Sequence, residues 1–196
     1  MKRVKIIGLT GQSGAGKSTA AQVFEQNGFA VINADSLVKR VYEQNEYCLD
    51  AVAARFGSDI INSDGTLNRK LLAKRAFSSG ESTRALGGIV HPFVLSEFLK
   101  ELKGASGYAV FDAPQLFESG IDVICDTVVS VVAEESTRLA RIMNRDGITE
   151  SEARQRINAQ LSEEFFRANS DYIIENNTDG GLEQKTLELI AVIKSR

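Results

Sequence analysis

The sequence predicts an α/β fold in which a parallel sheet is flanked by helices. Two observations predict it: short apolar, β-branched segments alternate with longer helical patterns, and the first such segment runs through a glycine-rich turn into a helix. The 196 residues, 43% hydrophobic and 25% charged, have the composition of one ordinary globular domain with a sizeable core.

Five segments have the composition of strands, namely 4–9, 29–32, 108–111, 127–133 and 172–175. The segment 127–133 is the most β-branched, so we expect it to be central in the sheet. Helical spacing of apolar residues occurs at 49–56, 94–102 and 182–193. Thr149 and Glu152 fit a capping box that opens a further helix extending to Gln160.

About 75 residues separate the second and third strands, which is too many for a single crossover helix. We therefore expect a helical insertion over 36–104. A second stretch, 134–167, replaces sheet with charged helices and is well placed to be a mobile lid. The remaining core comprises 1–35, 105–133 and 168–196, so residues 1–196 are expected to form a single domain.

The turn after the first strand is the most specific motif. Residues 11–18 read Gly-Gln-Ser-Gly-Ala-Gly-Lys-Ser and match the G-x-x-x-x-G-K-[ST] phosphate loop at each fixed position. Loop N–H groups and the helix N-terminus bind phosphate, Lys17 reaches the β- and γ-phosphates, and the Ser18 hydroxyl ligates Mg²⁺. The alternative is a glycine-rich turn without a ligand, but the flanking strand and helix favour a P-loop NTPase core. The nucleotide-binding residues expected from the motif are Gly11, Ser13, Gly14, Ala15, Gly16, Lys17, Ser18 and Thr19.

Two carboxylates follow strands at the edge of the sheet where parallel α/β proteins bind ligands. Asp35, after the second strand, can accept a proton from an attacking hydroxyl or can cap the helix that follows it, and the pattern leaves that choice open. Asp112, after the third strand, can hold Mg²⁺ as a Walker B acid does, or can simply end the strand before Pro114.

Arg138, Arg141 and Arg145 share one face of a predicted helix. Together they can neutralise the charge of a transferring phosphoryl group, whereas each one singly suits a solvated face that pairs with nearby glutamates. Their place in the predicted lid favours the functional interpretation. For the only histidine, His91, local hydrogen bonding and contact with a ligand both remain open.

The bulk composition excludes several classes of protein. With a net charge of −3 and no dense Lys/Arg block, a nucleic-acid partner is not expected. Cys48 and Cys125 lie far apart beside a single histidine, which excludes a zinc site of the usual spacing and favours reduced thiols. No apolar run is long enough for a membrane span and no signal-peptide pattern is present, so we expect a cytoplasmic protein without a membrane partner. The oligomeric state stays open.

The order of the motifs resembles the dephospho-CoA kinase family nearly from end to end. The matching segments are 8–18, 31–35, 56–57, 64–69, 91–92, 112–118, positions 141, 145 and 160, and 171–176. Each later segment is short, but their order and spacing make the resemblance more specific than the phosphate loop alone.

The resemblance implies an ATP- and Mg-dependent kinase that transfers the γ-phosphoryl group to the ribose 3′-hydroxyl of dephospho-CoA, the last step of coenzyme A synthesis. It favours Asp35 as the base and makes the helical insertion an acceptor-binding region. The implied catalytic residues are Asp35, Lys17, Arg141 and Arg145, with Arg138 added to the ATP-binding set. The implied acceptor-binding residues are Arg69, His91, Leu116, Phe117 and Glu118, and the implied metal ligands are Ser18 and Asp112.

The sequence departs from the family pattern at four positions. Asn33 and Asn68 stand where aspartates are usual, Gln115 where leucine is usual, and Arg138 where glutamine is frequent. None of these departures removes a residue that is assigned to the chemistry.

Two alternatives of different kinds accompany this interpretation. One is a nucleoside or nucleotide kinase of the same fold, which differs in its acceptor. The other is a nucleotide-binding switch with slow turnover, which acceptor-dependent ADP release distinguishes from a kinase. The guanine-reading Asn-Lys-x-Asp pattern is missing, and Asp35 and the arginine-rich lid have no evident role in a switch.

Overall fold

The computed structural model describes residues 3–178 and 180–195. Residues 1, 2, 179 and 196, which the predicted core ranges include, lie outside the described residues. The chain divides into two compact units, the first formed by the residues before 33 and after 104, and the second by residues 33–104.

The first unit is built on a five-stranded sheet. Its strands are β1 (Lys5–Gly11), β2 (Ala30–Asn33), β3 (Tyr108–Asp112), β4 (Thr127–Val132) and β5 (Tyr172–Glu175), in the order β2-β3-β1-β4-β5. β1 pairs in parallel with β3 and β4, and β4 pairs in parallel with β5. The parallel α/β architecture is confirmed, and each predicted strand lies within two residues of an observed one.

The middle of the sheet is β1, so the prediction that the β-branched segment 127–133 lies at the centre is wrong. β4 is an interior strand between β1 and β5, and nearly all of its side chains are buried. β-branched composition reports burial on both faces of a strand. β1 shares that burial, because Ile7 and Leu9 are both in the core. Composition therefore cannot tell which of β1 and β4 lies in the middle of the sheet.

Ten α-helices accompany the sheet in the described part of the chain. They are α1 (Lys17–Gln26), α2 (Ala34–Gln44), α3 (Glu46–Phe56), α4 (Arg69–Ala76), α5 (Gly80–Leu102), α6 (Leu116–Ser119), α7 (Glu135–Asp146), α8 (Glu150–Asn158), α9 (Glu163–Asn169) and α10 (Leu182–Lys194). The Thr149–Glu152 capping box is confirmed at the start of α8, which ends two residues before the predicted Gln160. In the first unit, Phe24 of α1 and Ile190 of α10 pack into the apolar cluster that includes Leu9 and Val129.

The second unit is helical, with α2, α3 and α4 packed on the long helix α5. Val90, Val94 and Phe98 of α5 are buried, because their spacing of four residues keeps them on one face. Two of the departures from the family pattern are N-caps here. Asn33 Oδ1 accepts from the backbone N–H of Ser36 at the start of α2. Asn68 Oδ1 accepts in the same way at the start of α4. Asn and Asp cap helices about equally well, so both replacements keep the cap.

Candidate functional site

The phosphate loop joins β1 directly to α1, and its glycines are required by its shape. Gly14 and Gly16 have φ angles of +80° and +107°, which other residues rarely adopt. A Cβ atom on Gly14 would lie 2.8 Å from the backbone oxygen of Arg138, and one on Gly16 would lie 2.6 Å from Nδ2 of Asn176. The loop therefore has room for neither side chain, and the N-terminus of α1 stands directly behind it.

Side chains from distant parts of the chain hold the loop backbone. Asn176, which is buried after β5, donates through Nδ2 to the Ala15 carbonyl oxygen at 2.7 Å. Arg141 Nη1 donates to the Asn176 carbonyl oxygen at 2.9 Å and approaches the Gly14 carbonyl oxygen at 3.5 Å. Because side chains donate hydrogen bonds to these carbonyl oxygens, the backbone of the loop is held in a fixed shape. A fixed phosphate loop is a preorganised anion site.

Lys17 and Asp112 form an ion pair, Nζ to Oδ1, although the sequence assigned one to phosphate and the other to metal. Their side chains are only 14% and 6% exposed. The pairing follows from the sheet, because Leu9 of β1 is in register with Asp112 of β3. The pair fixes the lysine ammonium group beside the loop and partly neutralises a buried carboxylate.

The residues assigned to Mg²⁺ have suitable chemistry. The Ser18 hydroxyl lies exposed in the first turn of α1, and the Asp112 carboxylate belongs to the neighbouring strand. Hydroxyl and carboxylate oxygens are ligands that this cation prefers. No group of three or more His, Cys, Asp or Glu side chains with metal-binding geometry exists among the described residues. Magnesium at this loop would thus take its remaining ligands from phosphate and water, which is how it is usually held beside nucleotides.

The three arginines of α7 lie in three different environments. Along the helix, the first is buried in the core, the second contacts the phosphate loop and the third is exposed at the surface. Arg138 is 5% exposed, donates through Nε to the Ala133 carbonyl oxygen at 2.9 Å, and has a buried Nη1 without a hydrogen-bond partner. Desolvation lowers the pKa of Arg138. Arg141 holds the loop, as described above. Arg145 is exposed and makes a two-pronged ion pair with Asp146 at 2.7 and 2.8 Å.

Asp35 is exposed in the first turn of α2, and it does not cap that helix. The interpretation of Asp35 as an N-cap is wrong, because the capping oxygen belongs to Asn33. A helix has one N-cap position. Because Asn33 takes it, Asp35, two residues later, lies within the first turn of the helix. Its carboxylate is therefore not committed to the cap.

The other residues that were assigned to the acceptor in the second unit differ in their surroundings. Arg69, at the start of α4, lies 3.6 Å from Glu43 and over the ring of Tyr42. His91 lies in the middle of α5, partly buried against Gly87. Desolvation lowers the pKa of His91, which keeps its imidazole neutral at pH 7.

The lowered pKa of His91 predicts a single, displaced imidazole titration. As the chain has one histidine, its C2 proton resonance is unambiguous in a proton NMR spectrum. We expect a midpoint below about 6.5 in the folded protein. Since the unfolded chain then binds the proton more tightly, stability falls as the pH drops below 6.5, and His91→Gln removes this dependence. A folded midpoint at or above that measured in urea would contradict the burial of this side chain.

The acceptor residues assigned in the first unit are divided between core and surface. Leu116 is fully buried and would lie 2.6 Å from a Cβ atom on Gly8, so it fills space beneath β1 and offers no surface to a ligand. Phe117 lies at the edge of the ring of Phe165, with centroids 5.3 Å apart. Glu118 is exposed, and desolvation by the surrounding protein raises its pKa.

Sequence reasoning missed three features. It gave Asn176 and Gln160 no role, although both contact the loop backbone: Gln160 Oε1 accepts from the Ser13 N–H at 2.9 Å. The sequence marks these two residues only weakly, because each is a single polar residue that follows a helix or a strand. It also missed a cavity of about 420 Å³ in the second unit, with Arg55, Lys74 and Arg75 in its wall.

No helix in 3–178 or 180–195 is long and apolar enough to cross a bilayer.

Sequence comparison assigns the chain to a known family. The family model for dephospho-CoA kinase matches residues 5–181. The dephospho-CoA kinase of Syntrophotalea carbinolica is 36% identical over 192 residues, which cover 96% of this chain and 90% of that relative. The dephospho-CoA kinase of Corynebacterium efficiens is 39% identical over 175 residues, which cover 87% of this chain and 88% of that relative.

Solved structures share the fold of this chain. A crystal structure from Thermus thermophilus has a TM-score of 0.83 and 32% identity, covering 99% of this chain and 98% of its own. The dephospho-CoA kinase from Campylobacter jejuni has a TM-score of 0.61 at 22% identity, covering 96% and 97% of the two chains. Together with a shikimate kinase from Acinetobacter baumannii (TM-score 0.55, 15% identity, 98% and 94% covered), it confirms the P-loop kinase fold. The chain is a kinase and belongs to the dephospho-CoA kinase family.

Proposed function

We propose that this enzyme transfers the γ-phosphoryl group of ATP to the ribose 3′-hydroxyl of dephospho-CoA, giving coenzyme A and ADP in the cytoplasm. The observation that carries the proposal is the preorganised phosphate loop, with Lys17 fixed beside it, in a chain of the dephospho-CoA kinase family. A loop that already has the shape needed for phosphate loses little conformational entropy on binding. More of the interaction free energy is then available to stabilise the transition state.

The loop and α1 form the ATP side of the proposed site. The amide groups of Gly14, Gly16 and Lys17 and the positive end of the α1 dipole bind the phosphates. Lys17 leaves Asp112 and pairs with the β- and γ-phosphates, since a doubly charged phosphate competes well with one carboxylate. Asp112 and Ser18 are the residues that would then hold magnesium. When bound, Mg²⁺ offsets negative charge on the phosphate oxygens.

Asp35 is the proposed general base. Its carboxylate is exposed and is not required as a cap, so it is available to accept the proton of the 3′-hydroxyl as that oxygen attacks phosphorus. It follows β2 at the carboxyl end of the strand, the edge where parallel sheets present ligand-binding groups.

The proposed acceptor contacts combine charge and apolar surface. Arg69 supplies a guanidinium group suited to phosphate oxygens, and the neutral His91 supplies a hydrogen bond without adding charge. Phe117 and Glu118 supply a ring face and an acceptor group. Leu116 supports them from the core and is not itself proposed as a contact.

The lid arginines are proposed to act in different ways. Arg145 is held at the surface by the carboxylate of Asp146, and it can exchange that exposed partner for a transferring phosphoryl group. Arg141 contributes by shaping the loop. Arg138 keeps its proposed ATP-binding role, and its buried Nη1 has no hydrogen-bond partner among the described residues. Residues 134–167 remain our proposed lid, which excludes water during transfer.

ADP release from Mg-ATP in the presence of different acceptors tests the proposal. We expect strong stimulation by dephospho-CoA, with coenzyme A as product, and none by adenosine or AMP. Stimulation by adenosine or AMP in its place would identify a nucleoside or nucleotide kinase. A slow rate that no acceptor changes would favour a nucleotide-binding switch and would contradict the proposal.

A further inference from the structure

One contact reaches the phosphate loop from beyond α8. Gln160, two residues past the last residue of that helix, accepts a hydrogen bond through Oε1 from the backbone N–H of Ser13 at 2.9 Å. The two residues are 147 positions apart in the sequence. The contact is therefore a product of the tertiary structure.

The other loop anchors do not hold the Ser13 N–H group. The Ala15 N–H donates to the Gln12 carbonyl oxygen at 3.0 Å, and the Gln12 N–H donates to the Val131 carbonyl oxygen at 3.3 Å. Gln160 completes this set, because it fixes the other end of the Gln12–Ser13 peptide. With that peptide fixed and the Ala15 N–H engaged within the loop, the amides of Gly14, Gly16 and Lys17 remain to face the phosphates.

Gln160 is itself firmly placed. Its backbone N–H donates to the Ile157 carbonyl oxygen at 3.1 Å, and Ile157 is buried with Ile142 and Ala153 in a small core between α7 and α8. α7 also carries Arg141, which bonds to the loop further along. The α7–α8 segment thus holds the loop through two side chains, one on α7 and one just after α8.

We propose that Gln160 is a positioning residue for the nucleotide, whose Oε1 orients the Gln12–Ser13 peptide so that the following loop amides converge on the phosphates of ATP. The inference rests on the proposed function, because it requires that the loop bind ATP. A side chain that orders the binding loop in advance lowers the entropy lost on binding. The effect falls on ATP and on the transfer step, and the acceptor is not affected.

The substitution Gln160→Met tests the bond, because it keeps the length of the side chain and removes the acceptor. Gln155→Met is the matched control, since Gln155 is exposed on α8. Loss of one such hydrogen bond corresponds to a several-fold change in an equilibrium constant. We expect Gln160→Met to bind ATP about fivefold more weakly by calorimetry, with a higher KM for ATP and a lower kcat. The KM for dephospho-CoA and the melting temperature should match those of the control.

A second variant, Gln160→Glu, tests proximity to the phosphates. Glutamate keeps an oxygen for the Ser13 N–H and adds a negative charge beside the loop. Coulomb repulsion should weaken ATP binding more than ADP binding, leave adenosine binding nearly unchanged, and diminish at high salt. Equal losses for adenosine and ATP would show that the side chain does not act at the phosphates, and would overturn the proposal.

The remaining outcomes also decide the question. Unchanged ATP affinity in Gln160→Met would overturn the positioning role and leave the proposed function intact. Tighter ATP binding would show that Gln160 competes with phosphate for the Ser13 amide, which also overturns it. If the wild-type protein failed to bind Mg-ATP, the proposed function would fail and this inference with it. The wild-type titration therefore comes first.

Discussion

Replacing Lys17 with alanine is expected to reduce phosphoryl transfer by about 10³-fold or more. The lysine is the strongest point charge at the loop, and removing a group that stabilises developing charge typically costs two to three orders of magnitude in kcat. The measurement is single-turnover transfer from radiolabelled ATP to dephospho-CoA at saturating concentrations of both.

The structure adds a second effect to the same substitution. Without Lys17, the Asp112 carboxylate is left 4% exposed and without the ammonium group that faces it. Breaking a buried pair by removing one partner costs about 3 kcal/mol, so Lys17→Ala should also melt at a lower temperature. The double variant Lys17→Ala/Asp112→Asn should recover much of that stability and none of the activity. Lys17→Arg, which keeps the charge, should stay stable and transfer poorly, because a guanidinium group does not replace an ammonium group in shape.

Normal transfer by Lys17→Ala would contradict the assignment of the loop. Recovery of activity together with stability in the double variant would show that the lysine serves only to neutralise Asp112.

Replacing Asp35 with asparagine is expected to lower kcat by about 10²- to 10⁴-fold, the contribution usual for a general base. ATP binding should change little, because the loop is intact. The melting temperature should also change little, because Asn33 caps α2 and Asp35 adds only a favourable charge in its first turn. Transfer rates, calorimetric ATP binding and thermal unfolding of the same preparation check the three parts.

Asn33→Ala is the matched control for Asp35→Asn, since the two residues lie at the same helix start. Loss of the cap should lower the free energy of unfolding by about 1 kcal/mol, while kcat for the folded protein stays near that of the wild type. A variant Asp35→Asn with near-normal kcat would show that another group takes the proton.

The sequence predicted the parts of the site that are local in the chain. The phosphate loop is such a part, because its glycines, its lysine and its helix start lie within eight consecutive residues and form one strand–loop–helix unit. The strands were predictable for the same reason, since alternation and β-branching act over a few residues.

The parts that were not predictable depend on which distant elements meet. Asn176 holds Ala15 across 161 positions, and no short-range pattern marks that pairing. Leu116 of α6 is buried because Gly8 of β1 has no side chain to exclude it. Asn33 takes the cap from Asp35 because the helix begins two residues earlier than its apolar pattern indicates.

The three arginines of α7 show a further limit. Helical spacing correctly places Arg138, Arg141 and Arg145 along one side of a helix. Spacing does not say how that side meets its surroundings, and here it runs from the core, past the loop, to the surface. Equal roles for the three residues were therefore not to be expected from the pattern.

Identifying the hydroxyl that receives the phosphoryl group is the most direct test of the central claim. The product formed from γ-labelled ATP and dephospho-CoA is analysed by phosphorus NMR, and the reaction is repeated with the 3′-deoxy analogue of dephospho-CoA. We expect one new phosphomonoester at the ribose 3′ position and no transfer to the analogue. Transfer to the analogue, or label released only as inorganic phosphate with either compound, would contradict it.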